Sequence, residues 1–113
     1  MLEIAVKAAD SKRAEDIIAL EVKEISLLAD YFLICSANTD RQISAIVDAI
    51  IEEEQKAKVQ IRRVEGKDGG KWMLIDLGDV IVHVFSTSER AFYNLEKLWS
   101  DAPLVAISDW IDE

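Results

Sequence analysis

The segment KWMLIDLGDVIVHVFS, residues 71–86, decides the fold. Two runs of mostly apolar residues, 71–77 and 80–86, flank the dipeptide Gly78-Asp79. Asp and Gly in a two-residue connection favour a tight turn, so the segment predicts a hairpin of two antiparallel strands. Both strands are apolar on both faces, which predicts that they lie centrally in a sheet or are covered by a partner.

The part of the chain before the hairpin predicts a strand–helix–strand unit. Residues 29–36 (ADYFLICS) form an apolar run, as in a strand buried on both faces. Residues 39–56 carry apolar side chains at helical spacing, and Thr39 with Gln42 makes a reciprocal capping box at their start. Residues 59–64 alternate, which predicts another strand. This unit is long enough for a right-handed parallel crossover, whereas the hairpin is antiparallel.

The flanking segments predict three more features. Residues 2–10 have apolar side chains at helical spacing. Residues 16–25 suit a helix or a strand, and their β-branched content favours the strand. The glycine-rich stretch 66–70 predicts a turn between strands.

A second capping pattern, Ser86 with Glu89, predicts a helix that ends at residues 101–103. Residues 105–111 are expected to add a further turn or two that carries Trp110. Helical spacing places four side chains of the main helix inward: Phe92, Leu95, Leu98 and Trp99.

The order of these elements predicts an α/β fold with a mixed five-stranded sheet and packed helices. A chain of 113 residues with no repeat or linker predicts one domain over residues 1–113. Half of the residues are apolar and Cys35 is the only cysteine, so neither disulfides nor a metal is needed for folding. No apolar run approaches the roughly 20 residues of a membrane span, and no signal pattern opens the chain. We therefore expect a cytoplasmic protein that does not bind membranes.

The net charge of −9 is unevenly distributed. Residues 1–55 have a net charge of −7, residues 56–71 of +4 and residues 72–113 of −6. Such a balance argues against direct nucleic-acid binding, which requires a positive surface. The charge alone is equally typical of a solvated surface and of an acidic face for a basic partner.

The sequence contains no convincing catalytic site. One cysteine and one histidine cannot build a structural zinc site, and His83 and Cys35 lie in apolar strands, where packing roles are expected. Asp76 and Asp79 resemble a magnesium-binding pair, but their spacing across a turn favours Asp79 as a turn residue that bonds nearby backbone. We predict no catalytic, cofactor-binding or metal-binding residues.

The aromatic residues of the last third are more informative. Tryptophan and tyrosine are favoured anchors of protein interfaces, and acidic neighbours can pair with a basic partner. The alternative for Trp99 is that it continues the core stripe of its helix. The predicted partner-binding residues are Trp72, Asp76, Tyr93, Glu96, Trp99 and Asp101.

Five motifs in order resemble those of the ribosomal silencing factor family, also called the Iojap family. The resemblance covers about residues 2–103 and leaves residues 104–113 as a C-terminal tail. The motifs are Ala29-Asp30-Tyr31-Phe32, Thr39-Asp40-Arg41-Gln42, Gly70-Lys71-Trp72, the run from Asp76 to Phe85 (DLGDVIVHVF) and the run from Phe92 to Trp99 (FYNLEKLW).

This resemblance implies a fold similar to nucleotidyltransferases without their catalytic equipment. It implies a protein that binds a ribosomal protein on the intersubunit face of the large ribosomal subunit. Occupying that place would block joining of the small subunit and repress translation. The resemblance also implies a homodimer when the protein is off the ribosome, and no cofactor.

Two other functions compete with this interpretation. One is a magnesium-dependent nucleotidyl-transferring enzyme that uses Asp76 and Asp79. The other is a dimeric scaffold protein without a ribosomal role.

Overall fold

The computed structural model describes residues 1–67 and 70–111. Its helices are α1 (Leu2–Ser11), α2 (Asp40–Lys56), α3 (Thr87–Tyr93) and α4 (Leu95–Leu98), and a 3-10 turn spans Ser108–Trp110. Its strands are β1 (Glu15–Glu21), β2 (Tyr31–Ala37), β3 (Arg63–Lys67), β4 (Trp72–Asp76) and β5 (Val80–Ser86). No helix of the described residues is long and apolar enough to cross a membrane.

The five strands form one mixed sheet in the order β1-β2-β5-β4-β3. The predicted hairpin is confirmed, because β4 and β5 pair antiparallel across Gly78, whose φ of +95° suits a residue without a side chain. The neighbour of β2 is the parallel strand β5. β3 runs in the same direction as β2, as the predicted crossover requires, but β5 and β4 lie between them.

The helices α1 and α2 pack on one side of the sheet, which we call the helix side. The predicted apolar stripe of α2 is buried there against strand residues such as Leu33 and Val82. The opposite side, which we call the aromatic side, carries alternate residues of the same strands, among them Trp72, His83 and Phe85. The buried stripe of α2 comprises Ile43, Ile46, Val47 and Ile50.

The start of α2 differs from the predicted capping box in one half. The Thr39 side chain accepts a hydrogen bond from the backbone N–H of Gln42 at 3.1 Å, as expected. The Gln42 side chain does not return the bond to Thr39. Its amide donates to the carbonyl oxygens of Lys12 and Arg13 at 3.2 and 2.9 Å, which fixes the loop after α1 against α2.

Three predicted boundaries were wrong. β1 ends at Glu21, because the chain turns at Val22, whose carbonyl accepts from the N–H groups of Ile25 and Ser26. β3 begins at Arg63, and Val59 and Ile61 before it pack against the helix-side core without joining the sheet.

The third boundary is that of the turn predicted at residues 66–70. Gly66 and Lys67 belong to β3, so the strand reaches into the stretch that was assigned to the turn. Asp68 and Gly69 lie outside the described residues.

The helix predicted after Ser86 is broken into two. Ser86 caps α3 as expected, accepting from the N–H of Glu89 at 3.2 Å. Asn94 then adopts the left-handed conformation (φ +47°, ψ +58°), ends α3 and caps α4. Because helical spacing does not continue through this break, the predicted inward positions of Phe92 and Leu98 were wrong: they are 79% and 73% exposed.

Residues 103–105 cover the outer edge of β1. The N–H of Glu21 donates to Pro103 and the N–H of Val105 to Ala19, each at 2.9 Å. The chain then crosses to the helix side, where Ile107 is buried and Trp110 packs against the core. The predicted short turn carrying Trp110 is therefore confirmed.

Candidate functional site

The aromatic side of the sheet is covered unevenly. Over β1 and β2 the segment after α3 packs Leu95, Trp99 and Ala102 onto the sheet. Over β4 the cover is incomplete, since Trp72 and Leu74 remain partly exposed while Phe85 on the adjacent strand is buried. This half of the sheet therefore offers apolar side chains to solvent.

Trp72 forms a cluster with two other aromatic rings. Its ring stacks on Phe85 at 4.8 Å between centroids, and the Tyr93 ring lies 4.6 Å away. Phe85 is its cross-strand partner on β5, whereas Tyr93 is the last residue of α3. The structure thus brings together two of the predicted partner-binding residues, which are 21 positions apart in the chain.

Phe92 extends this aromatic cluster outward. Its ring meets Tyr93 edge-to-face at 5.1 Å and is 79% exposed. Helical spacing predicted that Phe92 faces inward, because that spacing presumes an unbroken helix, so Phe92 was not predicted as a surface residue. The signal that could have revealed it is Asn94, since asparagine tolerates the left-handed conformation better than most residues.

His83 supports Trp72 from within the sheet. Its Nδ1 atom accepts a hydrogen bond from the Trp72 indole Nε1–H at 3.2 Å. His83 is only 7% exposed, and burial lowers its pKa to about 4. The imidazole is therefore neutral at physiological pH.

Asp76 lies on the same side of β4 as Trp72, with its side chain 20% exposed. Its carboxylate accepts from the N–H of Gly78 at 2.9 Å and lies 4.0 Å from the guanidinium of Arg63. The predicted side-chain bond to the turn backbone is therefore made by Asp76 and was wrongly assigned to Asp79. Asp79 contributes its carbonyl oxygen, which accepts from the N–H groups of Asp30 and Tyr31.

The other three predicted residues lie on or after α4. Glu96 forms an ion pair with the buried Arg90 at 3.4 Å, so its charge is partly neutralised within the chain. Trp99 packs edge-to-face on Phe32 at 5.1 Å in the core of the aromatic side. Asp101 is exposed in the turn that follows α4.

Arg90 is a structural residue that the sequence did not single out. It is 8% exposed, and its Nη1 donates to the Ser36 hydroxyl at 3.0 Å and to the Glu15 carbonyl at 3.3 Å. These bonds join α3 to β1 and β2. The position of Tyr93 at the end of α3 therefore depends on a buried polar network.

The described residues offer little for catalysis. They contain no group of three or more His, Cys, Asp or Glu side chains that could hold a metal ion. Burial raises the pKa of the Cys35 thiol to about 12, which makes it a poor nucleophile. The exposed aromatic cluster of Trp72, Tyr93 and Phe92 contains residue types that anchor contacts between macromolecules.

A family model, a related sequence and a solved structure each match most of this chain. The family model described as "Ribosomal silencing factor during starvation" matches residues 1–113. The "Ribosomal silencing factor RsfS" of Bacillus subtilis is 55% identical over 104 residues, which cover 92% of this chain and 88% of that protein. A crystal structure from Bacillus halodurans is 50% identical, covers 93% of this chain and 95% of that chain, and has a TM-score of 0.82.

A more distant relative comes from the mouse. "Mitochondrial assembly of ribosomal large subunit protein 1" of Mus musculus is 28% identical over 102 residues, which cover 88% of this chain and 45% of that protein.

Proposed function

The chain belongs to the ribosomal silencing factor family, and from this premise we propose that it binds the large ribosomal subunit and blocks joining of the small subunit. Translation would then be repressed by occupation of a surface and without a chemical step. The family resemblance supports this proposal, and so does the mouse relative, whose name refers to assembly of the large subunit.

The charge of the chain supports a protein partner over ribosomal RNA. The net charge is −9 in total and −6 in residues 72–113, so phosphate backbones repel this part of the molecule. Ribosomal proteins are generally basic and attract it. We therefore propose that the contact is made with a basic ribosomal protein on the intersubunit face.

The proposed docking surface consists of the incompletely covered part of the aromatic side and the adjoining helix ends. Trp72 and Tyr93 serve as its central anchors, and the exposed ring of Phe92 enlarges the apolar area. The single observation that carries this assignment is that Trp72 remains partly exposed while it contacts both Phe85 and Tyr93. Rigid aromatic anchors lose little conformational entropy on binding.

Charged and supporting residues complete the proposed surface. Asp101 is exposed and free to meet a basic side chain of the partner, and Asp76 lies on the same side of β4 as Trp72, at the other end of the strand. Glu96 and Trp99 belong to the same surface, where Glu96 also pairs with Arg90 and Trp99 also packs on Phe32.

We further propose that the fold is similar to that of nucleotidyltransferases. We also propose that the free protein is a homodimer and that it is located in the cytoplasm.

The docking surface is tested by Trp72→Ala. We expect the variant to lose binding to isolated large subunits by roughly 30-fold or more, since truncation of a central anchor costs about 2 kcal/mol or more. Cosedimentation with purified large subunits measures the change. Trp110→Ala is the matched control, because Trp110 is also a partly exposed tryptophan but lies on the helix side.

Two results would contradict this assignment. One is that Trp72→Ala, shown to be folded by circular dichroism, binds like the wild type. The other is that Trp110→Ala lowers binding as much as Trp72→Ala does.

A further inference from the structure

We propose that His83 is a positioning residue that fixes the orientation of Trp72 and turns its apolar edge toward the partner. This inference rests on the proposed function, because it assigns Trp72 a role in docking. His83 orients the anchor Trp72, and this orientation determines which part of the indole the partner meets.

The contact between His83 and Trp72 depends on the pairing of β4 and β5. Trp72 lies opposite Phe85, and Leu74 lies opposite His83, so the two interacting rings are diagonal neighbours on the same side of the sheet. Their centroids are 6.0 Å apart, and the indole Nε1–H reaches Nδ1 at 3.2 Å. Diagonal pairs of large aromatic side chains are within reach of each other in an antiparallel ladder.

The hydrogen bond determines which nitrogen of His83 carries the proton. An indole N–H is only a donor, so Nδ1 must keep its lone pair and the proton must reside on Nε2. Protonation of Nδ1 would place two donors against each other. The Nε2 atom is buried and has no hydrogen-bond partner among the described residues. No donor to Nε2 there favours the other tautomer, in which Nδ1 carries the proton.

His83 is a firmer support for Trp72 than Tyr93 is. β5 pairs with a strand on each side, and His83 packs edge-to-face on Phe32 of β2 at 5.3 Å. Tyr93 is 39% exposed and stands at the end of a seven-residue helix. Stacking alone allows the indole to flip about its Cβ–Cγ bond, since the flipped ring has the same plane, whereas a hydrogen bond from Nε1–H to a fixed atom selects one of the two orientations.

The orientation has a consequence for the partner. Because the indole N–H is directed at His83 inside the protein, the exposed part of Trp72 is hydrocarbon and π surface. An aliphatic side chain can pack on such a surface and a cationic side chain can make a cation–π contact with it, whereas a hydrogen-bond acceptor finds no donor there. We therefore infer that lysine, arginine or aliphatic groups of the ribosomal protein surround Trp72.

Two substitutions separate the hydrogen bond from the packing of the ring. In His83→Asn the amide oxygen replaces Nδ1 as an acceptor, whereas His83→Phe keeps a ring of similar size without an acceptor. We expect His83→Asn to bind isolated large subunits within about 3-fold of the wild type. We expect His83→Phe to weaken binding about 5- to 10-fold, in line with the loss of one hydrogen bond.

A spectroscopic measurement on the free protein makes the test independent of the ribosome. The ¹⁵N chemical shifts of His83 in the wild type should show a bare Nδ1 and a protonated Nε2. The Trp72 indole N–H resonance, assigned through Trp72→Phe, should exchange with solvent slowly in the wild type and in His83→Asn. In His83→Phe it should exchange faster.

The outcomes distinguish failure of this inference from failure of the proposed function. Protonation of Nδ1 in the wild type overturns the inference even if no variant folds. Wild-type binding by a folded His83→Phe also overturns it, provided that Trp72→Ala loses binding. If Trp72→Ala binds normally, the docking surface is wrong, whatever the nitrogen shifts show.

Discussion

Glu54 lies on the inward side of α2, directly after the apolar stripe of that helix. It is fully buried, and neither of its carboxylate oxygens has a hydrogen-bond partner among the described residues. Burial raises the pKa of this carboxyl to about 7 from its ordinary value of 4.5. An unpaired buried carboxylate destabilises the folded state, so this residue limits stability at neutral and alkaline pH.

The sign of the pH dependence follows from the raised pKa. Below pH 4.5 the carboxyl is protonated in both the folded and the unfolded state, so its charge costs nothing. Between 4.5 and about 7 the unfolded state releases the proton first, so the folded state loses stability as the pH rises. Above about 7 both states are ionised and the loss is complete.

We therefore predict that Glu54→Gln is more stable than the wild type at pH 8 by about 1–2 kcal/mol. The advantage should shrink at pH 5, where the wild-type carboxyl is mostly protonated in the folded protein. Urea unfolding at the two pH values measures it. The exposed neighbour gives the control Glu53→Gln, and an equal pH dependence in both variants would contradict the prediction.

The residues of the proposed docking surface were only partly predictable from sequence. Trp72 and Tyr93 were singled out as interface residues by type, and the structure brings them into contact. The hydrogen bond from Trp72 to His83 was not predicted, because it depends on the register between β4 and β5. A histidine inside an apolar strand gives no sequence signal that separates packing from support of a neighbouring ring.

At the scale of elements, Asn94 separates the two short helices that adjoin the proposed docking surface. Its backbone N–H donates to the Arg90 carbonyl at 2.9 Å and ends α3, and its side-chain oxygen accepts from the N–H of Lys97 at 3.3 Å. Helical spacing predicted one helix because a single residue in the left-handed conformation leaves the apolar pattern unchanged. The continuous inward side that helical spacing predicted is therefore absent, and Phe92 and Leu98 are exposed.

Two substitutions at Asn94 should differ in their effect on stability. Asn94→Ala loses the cap and strains the left-handed backbone, so we expect a loss of about 2 kcal/mol. Asn94→Gly loses the same side chain but adopts this backbone freely, so we expect less than about 1 kcal/mol. Chemical denaturation measures both, and equal losses would show that backbone conformation is not the cause.

Sequence patterns were sufficient to predict the hairpin but not the order of the strands in the sheet. The hairpin of β4 and β5 was predicted correctly because its turn residues and its two apolar runs are adjacent in the chain. The pairing of β2 with β5 was not predicted, since the two strands are separated by a helix and two other strands. Local patterns determine elements and turns. The order of the strands depends on how the helix side and the aromatic side of the sheet are covered.

At the scale of the whole molecule, charge and shape support the same proposed partner. The chain is acidic except for residues 56–71, whose net charge is +4. Part of this basic segment is neutralised within the chain, since Arg63 lies 3.5 Å from Glu65 and 4.0 Å from Asp76. An acidic molecule with an exposed aromatic cluster is suited to a basic protein surface and unsuited to bare RNA.

Competition between this protein and the small subunit tests the central claim most directly. Isolated large subunits are saturated with the protein, small subunits are added, and the products are separated on a sucrose gradient. We predict that joined ribosomes decrease as the protein concentration rises, that the protein sediments with free large subunits, and that Trp72→Ala leaves joining intact. Joined ribosomes that carry the protein at full occupancy would contradict steric exclusion as its function.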